Sequence, residues 1–319
     1  MFGGKLLMIS LNEILNIKAE KIKEKKKKVN KKTKSKKIII DDNIDKSYKF
    51  IKLRKRNGNG YRYIWNPNSI LKDIQKQFNN YLKDNIKFLP CIHAFVKNRD
   101  VRTNAKCHAG NTFKWKTDLS NFFDNVKEKH LKIGLIKYGI KSKSKINEII
   151  KWCTRFDKKK NRLTISQGLP SSPVLANVAC YDLDKYIMDK CKEKGYIYTR
   201  YSDDILISSN IKINDDVIND IKEYISNYDF IINKRKTYYI NPGKRAVIAG
   251  ILINNPQINV PKKTRKNLRA RIDHIKKGKL NPTSGVISNL KGRISWVKSI
   301  NKFAGNKLLK QLEVALLNK

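Results

Sequence analysis

The sequence predicts an α+β protein in which a small antiparallel sheet carries an acidic cluster. Three observations lead there. Tyr196 to Arg200 and Ile205 to Ser209 are short strand-forming segments on either side of the polar corner Tyr201-Ser202-Asp203-Asp204, the pattern of a hairpin. Phe113 to Asp118 alternates apolar and polar side chains, as a half-buried strand does. From Pro261 onward the chain reads as helical, with Leu268, Ile272 and Ile275 at the spacing of a core-facing stripe.

The elements divide the chain by composition. Residues 1–45 are extremely basic and low in complexity between Glu20 and Lys37. Ser10 with Glu13 reads as a capping box that starts a helix running into Lys25-Lys26-Lys27-Lys28. Such a block of like charge is either a solvated tail or an ordered arm on a polyanion. Residues 46–115 hold a hairpin with Asn57-Gly58-Asn59-Gly60 at its tip. Residues 116–260 mix strands and helices. Asp118 ends its strand, and Ser120 or Asn121 is placed to cap the helix that follows. Asn254-Asn255-Pro256 and Val260-Pro261 close this region. Residues 261–319 carry 16 Lys and Arg against two acidic residues. Lys262, Lys263, Arg265, Lys266, Arg269 and Arg271 crowd the first turns. A second helix near Leu290 to Ile300 brings Lys291, Arg293 and Lys298 beside Trp296.

At 319 residues and 40% hydrophobic content, the chain can bury a substantial core in one large domain or two to three subdomains. Its 71 Lys and Arg against 27 Asp and Glu leave a formal net charge of +44. That surplus implies a polyanionic partner, bound with strong salt dependence. A ribosomal-type binding protein or a membrane-surface protein would share the charge. No apolar run approaches a spanning length, and Met1 to Met8 carries apolar pairs without a cleavage pattern, so no membrane is expected. Five scattered cysteines without a CxxC pair read as reduced thiols of the cytoplasm. Cys107-His108 lacks a second ligand pair at zinc spacing.

Asp203 and Asp204 adjoin at a corner, where two carboxylates repel unless cations sit beside them. The dipeptide is also a good turn former. Asp118 lies 85 residues before Asp203, far enough for a helical excursion between the strands. Three carboxylates from two strand ends could cage the pair of Mg²⁺ ions, roughly 3.5–4 Å apart, of a two-metal transfer. Oxygen-only ligands suit Mg²⁺ rather than Zn²⁺.

These residues also carry a resemblance. Asp118-Leu119-Ser120-Asn121-Phe122-Phe123, Gln167-Gly168-Leu169-Pro170-Ser171-Ser172-Pro173, Tyr201-Ser202-Asp203-Asp204 and Asn233-Lys234-Arg235-Lys236-Thr237 match, in order, the palm blocks of reverse transcriptases. Lys55 to Arg62 and Pro67 to Gln75 resemble that family's fingers. The resemblance covers roughly residues 45–300. Within the family the chain resembles bacterial retron reverse transcriptases. His93-Ala94-Phe95-Val96 and Asn104-Ala105-Lys106-Cys107-His108 look like the retron insertion with its Asn-Ala-x-x-His element. Val247-Ile248-Ala249-Gly250 stands where retrons have Val-Thr-Gly, with Ile248 and Ala249 departing from it.

The resemblance implies a right-hand polymerase: a basic N-terminal helix or arm at 1–45, fingers at 46–115, a palm at 116–260 and a helical thumb at 261–319. Asp118, Asp203 and Asp204 would be catalytic and hold two Mg²⁺. Lys55 and Arg62 would contact the triphosphate of the incoming dNTP, and Phe123 would be the sugar gate. Gln167 would touch nucleotide or template, and Lys236 would donate a proton to pyrophosphate. Asn104, His108, Ile248, Ala249 and Gly250 would help fix the RNA, with Lys291 and Arg293 of the thumb. The implied partners are a cognate noncoding RNA serving as template and primer, its branched DNA product (msDNA) and a separate effector protein in phage defence. Another bacterial reverse transcriptase, of group II intron or abortive-infection type, and a catalytically idle RNA-binding scaffold are the alternatives.

Overall fold

A computed structural model describes residues 48–55 and 60–317. The expected basic arm at 1–45, and all but Gly60 of the expected hairpin tip, lie outside the described residues. In chain order the elements are β1 (Tyr48–Arg54), β2 (Tyr61–Pro67), α1 (Ser69–Asn85), α2 (Val101–Cys107), β3 (Phe113–Ser120), α3 (Phe122–Asn125), α4 (Glu128–Lys137), α5 (Lys143–Cys153), β4 (Arg155–Asp157), β5 (Arg162–Thr164), α6 (Ser172–Ala179), α7 (Tyr181–Glu193), β6 (Ile197–Tyr201), β7 (Asp204–Ser209), α8 (Asp215–Asn227), β8 (Ile231–Ile232), a 3₁₀ turn (Lys234–Lys236), β9 (Tyr238–Ile240), β10 (Val247–Ile248), β11 (Ile251–Leu252), α9 (Lys262–Lys276), α10 (Ser284–Ile300) and α11 (Lys302–Leu317). The class is α+β, as the sequence predicts. Among the described residues no helix is long and apolar enough to cross a membrane.

The chain packs as two units that interleave along the sequence. One unit gathers the described residues up to Lys97 with Leu119–Ile187 and Asp220–Asn233. The other gathers Asn98–Asp118, Met188–Asn219 and the chain from Lys234 on.

In the first unit β1 and β2 pair antiparallel from Tyr48↔Pro67 to Arg54↔Tyr61. Asn68 then caps α1 by accepting a hydrogen bond from the Leu71 amide. The stripe Leu71, Ile74, Phe78, Leu82 faces the core at helical spacing. Gln75, fully buried, donates through Nε2 to the Trp152 carbonyl at 2.9 Å, so its amide is satisfied on one side. Helix α6 is buried almost all round and opens with Pro173 in its first turn. It meets α4 at Gly134, where a Cβ would lie 1.9 Å from the Val178 carbonyl oxygen. Only glycine admits that approach. The last residues of β3 pair with β8, Leu119↔Ile232 and Ser120↔Ile231. Strand β3 thus runs two residues beyond the expected end at Asp118. Asn121 occupies the cap position of α3 with φ of 48° and makes no side-chain cap bond. Asn125 Nδ2 instead donates back to the Ser120 carbonyl.

In the second unit β3 lies between β7 and β9, and β6 adds outside β7, all antiparallel. Trp115 of β3 is fully buried. Ala105 of α2, Leu206, Ile240, Ala246, Ile248, Ile251 and Ile253 form one core. The C-terminal helices form another around Leu268, Ile272, Ile275, Leu290, Ile294, Val297, Leu308 and Leu312. The expected stripe on α9 is therefore the buried one, and α11 completes a three-helix cluster.

Candidate active site

The acidic corner belongs to the second unit. The ladder sets Asp118 directly opposite Asp204, and Tyr201 opposite Asp204 on the other side. Ser202 and Asp203 form the two-residue turn, with Ser202 in the left-handed region at φ of 60°. Arg200 is fully buried and donates through Nη1 to the Ser202 carbonyl at 2.9 Å, which pins the turn from below. Two strand ends and one clamped turn thus bring the three aspartates together.

Their electrostatics follow from that placement. Burial pushes the Asp203 carboxyl above the ordinary carboxylate range, and Asp118 and Asp204 push it the same way, while Lys236 opposes them. Asp118 is only 5% exposed and accepts a hydrogen bond from Lys236 Nζ at 2.7 Å. That bond holds the Lys236 ammonium above its usual value. Asp204 pairs with Lys116 Nζ at 3.0 Å. Lys116 stands opposite Leu206, so Asp204 is its diagonal cross-strand neighbour, within reach of a long side chain. Two lysines therefore supply the cations that adjacent carboxylates need.

The donor chemistry, three carboxylates with no nitrogen or sulfur ligand, fits a hard divalent cation such as Mg²⁺. The like-charge strain on Asp203 is what such an ion would relieve. As the side chains stand, no three His, Cys, Asp or Glu among the described residues are gathered closely enough to hold a metal ion. Lys236 engages Asp118 through Oδ1, and Lys116 engages Asp204 through Oδ1.

Beneath the hairpin lies a buried polar network that sequence reading missed. The His108 ring, fully buried at the end of α2, meets Ser208 Oγ through Nδ1 at 2.6 Å and Thr199 Oγ1 through Nε2 at 2.7 Å. Asn111 Nδ2 donates to the same Ser208 Oγ at 2.7 Å. Asn104 is buried on the same helix and Ile248 in the adjoining core. Asn104, His108 and Ile248, expected to help fix the RNA, are all buried: His108 bonds to β6 and β7, and Ile248 packs in one core with Leu206 of β7. Ala249 and Gly250 form the exposed β10–β11 turn, both with positive φ. Lys291 is exposed and Arg293 half-buried on α10. Lys116 was legible in principle, since alternation puts it on the face of Asp118. Arg200, Thr199 and Ser208 carry no signal without the register.

The other expected residues belong to the first unit. Lys55 and Arg62 are exposed at the loop end of the β1–β2 hairpin, where Lys55 N donates to the Gly60 carbonyl at 3.0 Å. Phe122 is buried against Phe230, with ring centroids 5.5 Å apart, whereas Phe123 stays half-exposed. Gln167 is half-exposed, and its carbonyl accepts from the Trp65 amide at 2.8 Å. Gly168 follows at φ of +105°, where a Cβ would lie 2.5 Å from Ile64 Cγ2 and 2.7 Å from the Trp65 carbonyl oxygen. The glycine is needed for this docking of the loop on β2.

Residues 53–271 match the model of the family described as reverse transcriptase (RNA-dependent DNA polymerase). The chain is similar to the retron Ec83 reverse transcriptase of Escherichia coli, 28% identical over 82% of this chain and 86% of that one. It is also similar to the retron Ec86 reverse transcriptase of Escherichia coli, 28% identical over 78% of this chain and 74% of that one. Among solved structures, telomerase from Candida albicans in complex with a TWJ fragment of telomeric RNA matches at a TM-score of 0.48 and 11% identity. That match covers 82% of this chain and 56% of the telomerase chain.

Proposed function

This chain belongs to the reverse transcriptase family and is an RNA-directed DNA polymerase with the right-hand polymerase fold class, and we propose that it works as a retron-type enzyme. In this reading it copies part of a cognate structured noncoding RNA into DNA, priming from a 2′-hydroxyl of that RNA to leave a branched RNA–DNA product. The observation that carries the polymerase chemistry is the opposition of Asp118 and Asp204 in the ladder, with Asp203 in the adjoining turn. The similarity to retron enzymes supports the finer assignment.

Asp118, Asp203 and Asp204 would hold two Mg²⁺ ions. When bound, these supply activation of the attacking hydroxyl and neutralisation of the leaving pyrophosphate. Lys236, released from Asp118, would stand ready to protonate that pyrophosphate. Lys55 and Arg62 contribute cations for the triphosphate, and the half-exposed ring of Phe123 would exclude a 2′-hydroxyl. Gln167 contacts nucleotide or template. Ala249, Gly250, Lys291 and Arg293 offer surface to RNA. Asn104, His108 and Ile248 would help fix the RNA from buried positions, His108 by bonding the strands of the hairpin. Fingers at 46–115, palm at 116–260 and thumb at 261–319 complete the assignment. A separate effector protein, a role in phage defence and a cytoplasmic location belong to the same proposal.

The test is a side-by-side assay of an annealed primer on a generic template and of the cognate RNA alone, with debranching enzyme applied to the second product. Extension in both, with a debranchable 2′,5′ linkage, is expected, because a folded RNA presents its hydroxyl at high effective molarity. An unbranched product would move the chain to another class of bacterial reverse transcriptase. No extension in either would leave an RNA-binding scaffold.

A further inference from the structure

Helices α9 and α11 frame a cleft that no role above uses. Its walls are Arg265 and Arg269 on α9 and Phe303, Lys307 and Gln311 on α11, with Leu308 at its floor. Arg265 and Arg269 stand one turn apart on one helix, and Phe303, Lys307 and Gln311 stand one turn apart on the other. Each set therefore shares a face. The 1.5 Å rise per residue puts Lys307 about 6 Å from Phe303 along the axis, and Gln311 about 12 Å.

Two observations mark this cleft as a site. Phe303 is 80% exposed, a large aromatic held in solvent rather than in the core beneath it. The Nε of Arg265 is buried without a hydrogen-bond partner, a donor that an incoming acceptor would satisfy. The volume, about 180 Å³, lies below the range of roughly 300–1,000 Å³ for drug-sized ligand sites and suits one flat ring. Three cations beside an exposed ring match a phosphodiester whose base stacks on an aromatic.

We propose that this cleft binds an unpaired nucleotide of single-stranded nucleic acid, its base stacked on Phe303 and its flanking phosphates on Arg265, Arg269 and Lys307. The Gln311 amide lies one turn further along, as a donor or acceptor for the next sugar or base. A base inside a duplex is already stacked on both faces and cannot use Phe303. The cleft therefore selects an unpaired stretch over a paired one. The proposal rests on the polymerase reading and deepens it, by giving the C-terminal helices a contact to strand outside the copied duplex.

The experiment is a binding titration of the full chain by fluorescence anisotropy, using a short labelled oligouridylate, its deoxy counterpart and a blunt RNA hairpin of equal length whose paired strands are joined by a non-nucleotide linker. Phe303→Ala should weaken binding of at least one single strand roughly 5- to 150-fold and leave the hairpin unaffected. Its log–log salt slope should match the wild type, because no phosphate contact is lost. Phe303→Trp should restore affinity. Arg265→Gln with Arg269→Gln should instead flatten the slope by about 0.7 per contact. Whether the ribo- or deoxy-strand responds more identifies the source of the nucleotide. Equal single-strand affinity in Phe303→Ala and wild type overturns the proposal, as does an equal loss on the hairpin. A fall in molar mass by light scattering with unchanged nucleic-acid affinity also overturns it, since the cleft would then join two copies of the chain. Thermal unfolding of each variant accompanies the titration, and an unchanged melting temperature separates a lost contact from misfolding. If the wild type binds no nucleic acid and extends no primer, the polymerase reading fails; if it extends primers while Phe303→Ala is silent, only the stacking site does.

Discussion

Single side chains decide whether the acidic corner is usable. Lys116 and Lys236 hold Asp204 and Asp118 in ion pairs, so they stabilise the metal-free turn and compete with a cation for the same oxygens. Lys116→Met should tighten Mg²⁺ binding, read by calorimetry, roughly 2- to 5-fold, the ~1 kcal/mol of a partly exposed pair. The same variant should melt lower in the absence of metal. Unchanged affinity would show that Lys116 does not oppose loading. His130 gives a pH-dependent prediction elsewhere in the chain. Its ring is buried and stacked on Tyr228, and its Nδ1 accepts the Lys127 amide at 3.1 Å. Burial pushes its pKa from 6.5 down to about 4, with Lys129 and Lys127 adding to that and Asp229 opposing. The unfolded chain therefore takes up a proton near 6.5 that the folded chain refuses until about pH 4. Stability should be full above the unfolded value and fall as the pH drops through that window. Melting temperatures between pH 7 and pH 4.5 check this: the decline should be shallower in His130→Gln, and equal slopes would remove His130 as its source.

At the scale of elements, the hairpin is held by what lies beneath it. His108 ties α2 to β6 and β7 through Thr199, three residues before the Ser202-Asp203 turn, and Ser208, five residues after it. His108→Ala removes the ring from the buried Thr199 hydroxyl and leaves Ser208 Oγ with its Asn111 bond, at about 1–3 kcal/mol. Annealed-primer and self-primed synthesis should then fall together, in step with a lower melting temperature. Loss of self-primed synthesis alone would return His108 to RNA recognition. Much of this level was legible in the sequence. The hairpin at 196–209, the strand holding Asp118 and the stripe on α9 follow from alternation and helical spacing, which burial imposes directly on residue type. What stayed hidden depends on register. Nothing local reveals that Ser208 and Thr199 flank His108, that β3 extends to meet β8, or that Lys116 reaches diagonally to Asp204. The motif that singles out Asn104 and His108 does not say whether they are buried, because burial depends on how the strands pack against α2.

Across the whole molecule, charge and chemistry point the same way. A net charge of +44 makes a polyanion the natural partner, and the C-terminal residues 261–319 hold 16 of the cations. Within that basic chain the acidic corner concentrates negative charge on Asp118, Asp203 and Asp204, offset by two lysines. That contrast is what a nucleotidyl transferase needs: cations for the strand it grips, carboxylates for the ions at the reacting phosphate. Cation-rich surface alone would give binding without synthesis. The most direct test is therefore primer extension on an RNA template in Mg²⁺ by Asp118→Asn and by Asp203→Asn, with RNA affinity measured on the same preparations. The account predicts that synthesis is abolished in both variants while RNA affinity stays within about twofold of wild type, because the phosphate-binding surface is untouched. Normal extension by either variant would contradict it.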